Sequence, residues 1–336
     1  MKTEITLVLT FLLCLLETTN SLADPQKSVD NSRLIIFHAG SVSVPFKEIC
    51  IEFNKLHPNV KIFSESAGSR ICARKIADLH RPCDVIAVAD YTVIDALLIP
   101  EHAEWYITFA GNEMVIAFHE DSRKAAEISE DNWYTILLKD DVKIGRSDPD
   151  SDPCGYRTVF TVMLAEKFYN QDKFAENILA KDQEYMRPKE VDLLALLEVG
   201  AIDYIFIYRS VAEQHKLKYI TLPDQINLKN VKYADFYKTA STRLTGKEPR
   251  TSLTKTATPI IYGVTIPKKA PNQEMALEFM AFLLDSQKGL AIMKKNGQTP
   301  IVPSRTETFE KIPMQLRKYA LPIDKVEDEP DNQKKN

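Results

Sequence analysis

Two identical turns containing glycine and serine close apolar runs of this sequence. Ala39-Gly40-Ser41 follows the run 34–39, and Ala67-Gly68-Ser69 follows the run 60–67. Glycine lets the backbone approach a ligand closely, and serine adds a hydroxyl donor. If each turn also begins a helix, its unpaired N–H groups favour an anion. The pair therefore predicts two halves of an oxyanion cradle, although each serine could serve only as a helix N-cap.

Two acidic residues and a tyrosine occupy similar positions further along the chain. In SDPDSDPCGYR, Asp152 suits the N-cap and Pro153 the first position of the helix that follows. Glu190 begins the helical pattern after RPK, and Tyr208 ends the apolar run IDYIFIY. Each has a plain structural interpretation as a cap, a solvated first-turn acid or a half-buried tyrosine. Taken together, they predict an anion site that contains carboxylates, which should repel an anion.

Short apolar runs alternate with helical patterns along the chain and predict the elements that position these residues. The predicted strands are 34–39, 60–67, 84–89, 112–118, 142–147, 202–208 and 259–266. The predicted helices include 45–58, with Phe46, Ile49, Phe53 and Leu56 on one face, and a long helix from Asn272 to about Lys295. This alternation, with near-continuous apolar strands, predicts an α/β fold of doubly wound parallel sheets covered by helices on both faces.

The domain organisation follows from the absence of a glycine- or serine-rich linker in the sequence. Two lobes would be joined by strands that cross between them, near Gly111 and near Val264–Ile266. We therefore predict a discontinuous first lobe of residues 24–111 and 265–324 and a second lobe of residues 112–264. The polar segment 325–336 is predicted to be disordered.

The N-terminus predicts export. Lys2, an apolar run from Ile5 to Leu16 and the small-residue site before Asp24 are typical of a signal peptide spanning residues 1–23. The run is too short to cross a membrane, for which about 20 residues are needed. A net charge of -4 gives no indication of nucleic acid as a partner.

The cysteines and histidines give no metal or catalytic pattern. Cys50, Cys72, Cys83 and Cys154 match no zinc spacing and are expected to be buried, with at most one disulfide. The six histidines form no ligand pattern, and no nucleophile elbow, P-loop or dinucleotide motif is present. An exported thiol enzyme that uses Cys154 with a nearby base, such as His38, remains a weak alternative.

A larger set of motifs resembles a known family. HAGSVSVPF, ESAGSRICARKIADL, SDPDSDPCGYR and RPKEVDLLALLEVGAIDYIFIYRSVAEQH resemble the archaeal-type tungstate/molybdate-binding proteins of ABC importers. The resemblance extends from about Leu34 to about Pro303. It implies a two-lobed periplasmic-binding-protein fold with one oxyanion in the cleft between the lobes, and no enzymatic activity.

The resemblance also implies a set of ligand-binding residues. Gly40, Ser41, Ser69 and Tyr208 would donate hydrogen bonds to the oxo groups, and the backbone around Pro153 and Cys154 would frame the oxyanion. Asp152 and Glu190 would bind the metal of the oxyanion directly, which would remove the expected repulsion because tungsten and molybdenum accept additional ligands.

The implied partners are an ABC transporter permease and, through it, a cytoplasmic ATPase, with the protein monomeric and exported, either free or membrane-associated. No cofactor is implied. The segment 170–187 is shorter than in many members and is interpreted as a loop of the second lobe. Sulfate, phosphate or another tetrahedral oxyanion, held only by hydrogen bonds, remains an alternative ligand.

Overall fold

The computed structural model describes residues 33–323, except Pro249. The predicted signal peptide and the predicted polar tail lie outside these residues. The strands are β1 Arg33–Ala39, β2 Lys61–Ala67, β3 Val85–Val88, β4 Ile107–Gly111, β5 Met114–Phe118, β6 Ile144–Gly145, β7 Tyr204–Tyr208, β8 Lys218–Thr221, β9 Ser241–Thr245, β10 Ser252–Thr256, β11 Ile261–Thr265, β12 Thr299–Pro300, β13 Ser304–Thr306 and β14 Ala320–Pro322.

The helices alternate with these strands over most of the chain. They are α1 Ser43–Leu56, α2 Ser69–Ala77, α3 Thr92–Leu97, α4 Trp133–Ile136, α5 Pro153–Phe168, α6 Phe174–Ala180, α7 Leu193–Glu198, α8 Arg209–Gln214, α9 Ala234–Tyr237, α10 Gln273–Leu283 and α11 Gly289–Lys295. Short 3-10 turns lie at Gly40–Val42, Gln183–Tyr185, Glu190–Asp192, Val231–Tyr233, Phe309–Lys311 and Met314–Tyr319.

A six-stranded sheet forms the centre of the first lobe, in the order β12-β4-β11-β3-β1-β2. Strand β1 pairs in parallel with both β2 and β3. The register of β1 and β2 places Ala39 opposite Ala67. The two Ala-Gly-Ser turns therefore emerge side by side from the carboxyl edge of this sheet, as the sequence predicts.

A four-stranded sheet forms the centre of the second lobe, in the order β6-β7-β5-β8. Strand β7 pairs in parallel with β6 and antiparallel with β5, with Tyr208 opposite Met114. Strand β7 and the helix α5, whose residues from Pro153 to Val162 are all buried, make up much of the core of this lobe.

The chain crosses between the two sheets through short connections that contain no helix. Only Asn112 and Glu113 separate β4, in the first sheet, from β5, in the second. The return is complete by Ile261, where β11 enters the first sheet, four residues before Thr265, at which the first lobe was predicted to resume. A small antiparallel hairpin of β9 and β10 precedes this return.

The prediction of wholly parallel sheets is wrong. Strand β11 runs antiparallel to β3 and β4, and β5 runs antiparallel to β7 and β8. Parallel neighbours need a crossover connection, usually a helix. Strands β5 and β11 are the strands that carry the chain from one sheet to the other, so their direction is set by the crossing.

All seven predicted strands are present, but two helical interpretations need correction. The predicted long helix 272–295 is broken into α10 and α11, and at the break Gly289 packs directly on Leu283, where an added Cβ would lie 2.3 Å from the Leu283 carbonyl oxygen. The segment 170–187, interpreted as a loop, contains helix α6. In α1, Phe46, Ile49 and Phe53 are buried as predicted, but Leu56, at the end of the helix, is exposed.

Candidate functional site

The eight predicted site residues are all buried, and all lie where a strand or loop leads into a helical turn. Gly40 and Ser41 lie in the 3-10 turn between β1 and α1, and Ser69 is the first residue of α2. In the second lobe, Asp152 caps α5, which begins with Pro153 and Cys154, and Glu190 begins the 3-10 turn before α7. Tyr208 is the last residue of β7, directly before α8.

Two glycines of the first lobe, Gly40 and Gly68, lie in close contact with the second lobe in this region. A Cβ added to Gly40 would lie 2.9 Å from Oε1 and 3.1 Å from Oε2 of Glu190. At Gly68, an added Cβ would lie 2.3 Å from the carbonyl oxygen of Ser151 and 2.9 Å from that of Pro188. At Gly68 the contacts are with backbone atoms and leave no room for a side chain, so this turn requires glycine for the lobes to meet as they do. At Gly40 a side chain would have to displace the Glu190 carboxylate.

The two carboxylates lie together in the second lobe. Asp152 Oδ2 accepts a hydrogen bond from the backbone N–H of Glu190 at 3.0 Å, and Asp152 Oδ1 accepts one from Cys154 N–H at 3.3 Å. Each residue exposes only 1% of its surface, and among the described residues neither oxygen of Glu190 has a hydrogen-bond partner. Burial, together with the neighbouring Asp152, holds the pKa of Glu190 well above its usual range, and burial raises that of Asp152.

Three buried hydroxyl groups face the same region, and each already accepts a hydrogen bond from the protein. Ser41 Oγ accepts from the Tyr262 hydroxyl at 3.0 Å, and Ser69 Oγ accepts from Ala89 N–H at 2.9 Å. The Tyr208 oxygen accepts from Arg157 Nη1 at 2.8 Å. A hydroxyl has one hydrogen to donate, and for these three groups no acceptor is found among the described residues, so each hydrogen remains available for a ligand. The arrangement therefore presents hydrogen-bond donors, as an oxyanion requires.

A buried chain of side chains that the sequence did not reveal fixes the orientation of Ser41. The Asn112 side chain donates to the Tyr262 hydroxyl at 3.0 Å, and its Oδ1 accepts the N–H of Glu113 at 2.9 Å. Gln298 donates to the Ser41 carbonyl at 3.0 Å. Asn112 lies at the crossing, Tyr262 in β11 and Gln298 just before β12, so no sequence pattern links them to Ser41.

A buried ion cluster, also absent from the sequence prediction, lies beside the site at the boundary between the lobes. Asp90, which follows β3, accepts a hydrogen bond from the Tyr156 hydroxyl at 2.6 Å and pairs with Lys255 at 2.9 Å and Arg157 at 3.7 Å. Burial alone would raise the pKa of Asp90, but Lys255, Arg157 and the Tyr156 hydroxyl outweigh it and hold that pKa well below its usual range. An arginine within the otherwise apolar pattern of α5 was the one signal in the sequence.

The structure disfavours thiol chemistry at Cys154. Burial, first, and then Asp152 and Glu190 raise the pKa of the fully buried Cys154 thiol well above its usual range. His38, considered as its base, is engaged elsewhere through contacts of 2.8 Å with the Ala39 carbonyl and 2.9 Å with the Ser64 hydroxyl. All four cysteines of the described chain are free, without a disulfide.

The acidic residues before Asp152 support the turn itself. Asp148 accepts hydrogen bonds from Asp150 N–H at 3.0 Å and from the Ser151 hydroxyl at 2.7 Å. Asp150 accepts one from Thr245 N–H at 2.6 Å, which ties the turn to the β9–β10 hairpin. Both residues therefore act as structural groups of the turn.

Comparison with known proteins identifies the family. The model of the bacterial extracellular solute-binding proteins matches residues 34–299. The chain belongs to this family. It is 52% identical over 290 residues to a solute-binding protein of Petrotoga mobilis, with 85% of this chain and 89% of that protein covered.

A second relative and a solved structure extend the comparison. The chain is 45% identical over 315 residues to the molybdate/tungstate-binding protein of Pyrococcus abyssi, again covering 85% of this chain and 89% of that protein. The periplasmic molybdate-binding protein of Azotobacter vinelandii superposes with a TM-score of 0.56 at 17% identity, covering 80% of this chain and 99% of that one. That structural likeness confirms the two-lobed fold, and the sequence relatives confirm the resemblance stated above.

Membership of the family fixes the general role of this member. Its proteins bind solutes rather than transform them, act outside the cytoplasm and serve an ABC transporter permease. Within the part of the chain that the structure describes, no helix has the length and apolar character needed to cross a membrane.

Proposed function

We propose that this protein captures tungstate or molybdate between its two lobes and delivers the oxyanion to the permease of an ABC importer. The Pyrococcus abyssi relative that carries this ligand in its name supports the proposal, since the two chains are 45% identical over most of their length. The buried donors and carboxylates of the site support it independently.

The observation that carries the proposal is the buried Glu190 carboxylate, which has no hydrogen-bond partner among the described residues. It lies beside Asp152, in a site whose other polar groups are hydroxyl donors. A site for sulfate or phosphate would gain nothing from a carboxylate pair, because two more negative oxygens would repel the anion across a dry cleft. Hexavalent tungsten or molybdenum can accept additional oxygen ligands, so the same carboxylates become favourable.

Each predicted residue then has a role in binding. Asp152 and Glu190 bind the metal of the substrate, one carboxylate oxygen each. The remaining residues act on the oxo groups: Gly40, Ser41, Ser69 and Tyr208 donate hydrogen bonds to them, and the backbone at Pro153 and Cys154 frames them. No resident cofactor takes part.

Capture requires the lobes to separate, because the site residues are buried where the lobes meet. The Asn112–Glu113 connection and the segment before β11 are where the chain passes between the sheets, so rotation of one lobe against the other is absorbed there. The oxyanion supplies the missing contacts of the Glu190 carboxylate when the lobes close over it. The free energy of these contacts stabilises the closed form.

The role in transport implies the cellular location and the partners of the protein. We propose that the mature protein acts as a monomer outside the cytoplasm, free or held at the membrane surface, and that the permease it serves is driven by a cytoplasmic ATPase. One bound oxyanion per monomer is the expected stoichiometry.

Isothermal titration of the purified mature protein tests the proposal. Tungstate and molybdate should each bind at one site per chain, whereas sulfate and phosphate should bind far more weakly. The double substitution Asp152→Asn and Glu190→Gln should abolish the preference for tungstate. Unchanged tungstate affinity in this double variant would instead favour an ordinary oxyanion site held by hydrogen bonds. No heat from either metal oxyanion would contradict the proposal.

A further inference from the structure

Arg157 lies at the point where the ligand donors of the two lobes are linked. It projects from α5 of the second lobe and exposes 2% of its surface. Its Nη1 donates to the Tyr208 oxygen at 2.8 Å and to the Ala89 carbonyl at 2.7 Å. Tyr208 belongs to the second lobe, and Ala89 follows β3 of the first lobe.

The hydrogen bond from Arg157 to Tyr208 determines whether the tyrosine hydroxyl can donate to a ligand. A guanidinium group is a donor only and stays charged in proteins, so the Tyr208 oxygen must accept from it. The phenolic hydrogen is then free for another acceptor, and a cationic donor on the oxygen makes this hydrogen a stronger donor. Among the described residues, no acceptor for this hydrogen is found in the hydrogen-bond network around Arg157 and Tyr208.

Through its hydrogen bond to the Ala89 carbonyl, Arg157 also acts on a ligand donor of the first lobe. Arg157 donates to the carbonyl of Ala89, and the N–H of Ala89 donates to Ser69 Oγ at 2.9 Å. By holding the backbone at Ala89, Arg157 therefore also helps to orient the Ser69 hydroxyl. The neighbouring Asp90, 3.7 Å from Arg157 Nη2, balances the buried positive charge. Nη2 itself makes no hydrogen bond among the described residues, so it contributes charge to the pair with Asp90, and the directed hydrogen bonds of the guanidinium come from Nη1.

We propose that Arg157 is a positioning residue for the oxyanion, which aims the hydroxyl of Tyr208 from the second lobe and, through Ala89, the hydroxyl of Ser69 from the first lobe. This inference rests on the proposed function. It adds a coupling between lobe closure and site assembly, because the contact with Ala89 exists only when the lobes are together. The two donors are therefore aligned with each other in the closed form.

A double-mutant cycle of Arg157→Met and Tyr208→Phe, with tungstate affinity measured by isothermal titration, tests the inference. Arg157→Met should weaken binding about 10- to 100-fold, the usual range for a hydrogen bond to a charged group. In the background of Tyr208→Phe, the same substitution should cost distinctly less, because the hydroxyl that it aims is already gone. An equal loss in both backgrounds would mean that Arg157 only supports the fold, and would overturn the inference.

Arg70→Met is the matched control. Arg70 is equally buried and also joins the lobes, through the carbonyls of Asp150 and Thr245, and among the described residues its side chain makes no hydrogen bond to a proposed ligand donor. Its effect on affinity should be the same with and without Tyr208→Phe. If Arg70→Met shows the same dependence on Tyr208, the coupling is a general effect of closure and the inference fails.

Arg157→Lys covers the case in which Arg157→Met does not fold. Lysine keeps the charge beside Asp90 but cannot reproduce the fixed fork of the guanidinium, so affinity should be reduced and still measurable. Binding as tight as in the wild type would overturn the inference. If wild type and Arg70→Met both fail to bind tungstate, the proposed function fails and the inference falls with it. If the cycle shows no coupling between Arg157 and Tyr208 but the wild type binds tungstate, the inference fails and the proposed function stands.

Discussion

At the scale of single residues, the site contains three hydroxyl groups that accept hydrogen bonds from the protein. It also contains one carboxylate, that of Glu190, for which no hydrogen bond is found among the described residues. The hydroxyl oxygens of Ser41, Ser69 and Tyr208 each accept a hydrogen bond from the protein. Their own hydrogens are therefore left to donate to a ligand. Glu190 receives no hydrogen bond at its carboxylate from any described residue. A buried polar group without a partner is costly, so its presence indicates a partner supplied from outside the chain.

Glu190→Gln tests the role of this carboxylate. Tungstate affinity should fall by on the order of 100-fold, because a ligand to the metal is lost from a dry site in which charged contacts are strong. The melting temperature of the ligand-free protein should not fall, because the substitution removes a buried carboxylate for which no hydrogen bond is found among the described residues.

Glu198→Gln is the control for that measurement. Glu198 lies at the end of α7, and its side chain is 76% exposed beside His119. It should leave both affinity and melting temperature unchanged. A lower melting temperature in Glu190→Gln, with affinity retained, would show that Glu190 supports the fold instead of the ligand.

At the scale of elements, the site lies where turns at the ends of strands in the first lobe face the starts of helices in the second lobe. The parallel register of β1 with β2 aligns the two Ala-Gly-Ser turns, and α5, α7 and α8 begin on the opposite side of the cleft. Helix starts carry partial positive charge and unpaired N–H groups. The elements therefore favour an anion at this position even before the side chains are considered.

Gly40→Ala tests the close contact between turns of the two lobes. The new methyl group would lie 2.9 Å from Glu190 Oε1, which forces the carboxylate or the turn to move. Overpacking of this kind typically costs about 1–3 kcal/mol, and here it should appear as a loss of tungstate affinity of about tenfold or more. Isothermal titration measures it directly.

Gly111→Ala is the matched control for this substitution. An added Cβ there meets the Ile260 carbonyl oxygen at 3.5 Å, an ordinary contact. Its affinity should remain near that of the wild type. A similar loss in both glycine variants would remove the special role of the contact between Gly40 and Glu190.

The sequence predicted most of the elements and the residues at their ends, but not the side chains that support them. Strands were recognisable because short apolar runs end in glycine, serine or proline turns, as at Gly40 and Gly68. The polar strands β9 and β10 lack such a pattern and were missed. Tyr262 and Asn112 meet Ser41 only through tertiary packing, which no local spacing encodes.

At the scale of the whole molecule, the ion cluster at Asp90 joins the lobes. Asp90 belongs to the first lobe, whereas Tyr156 and Arg157 on α5 and Lys255 on β10 approach it from the other side of the cleft. Two cations and a hydroxyl around one carboxylate hold its charge in a buried position. The cluster therefore stabilises the closed arrangement that the site requires.

Asp90→Asn should destabilise the protein at neutral pH, by about 3–5 kcal/mol, because it leaves two buried cations without their carboxylate. The pKa of Asp90 is depressed in the folded state, so its contribution is present above the unfolded value near 4 and is lost as the pH falls below it. The gap in unfolding free energy between wild type and variant should therefore narrow in acid. Urea denaturation at a series of pH values measures it, and a gap that widens as the pH falls would contradict the assignment.

The most direct test of the central claim is the X-ray absorption spectrum of the tungstate-loaded protein at the tungsten L3 edge. If Asp152 and Glu190 bind the metal, the spectrum should show two oxygen ligands in addition to the four oxo groups, and it should revert towards the free anion in the variant carrying both Asp152→Asn and Glu190→Gln. Bound tungstate with four oxygen neighbours, spectrally the same as the free anion, would contradict it.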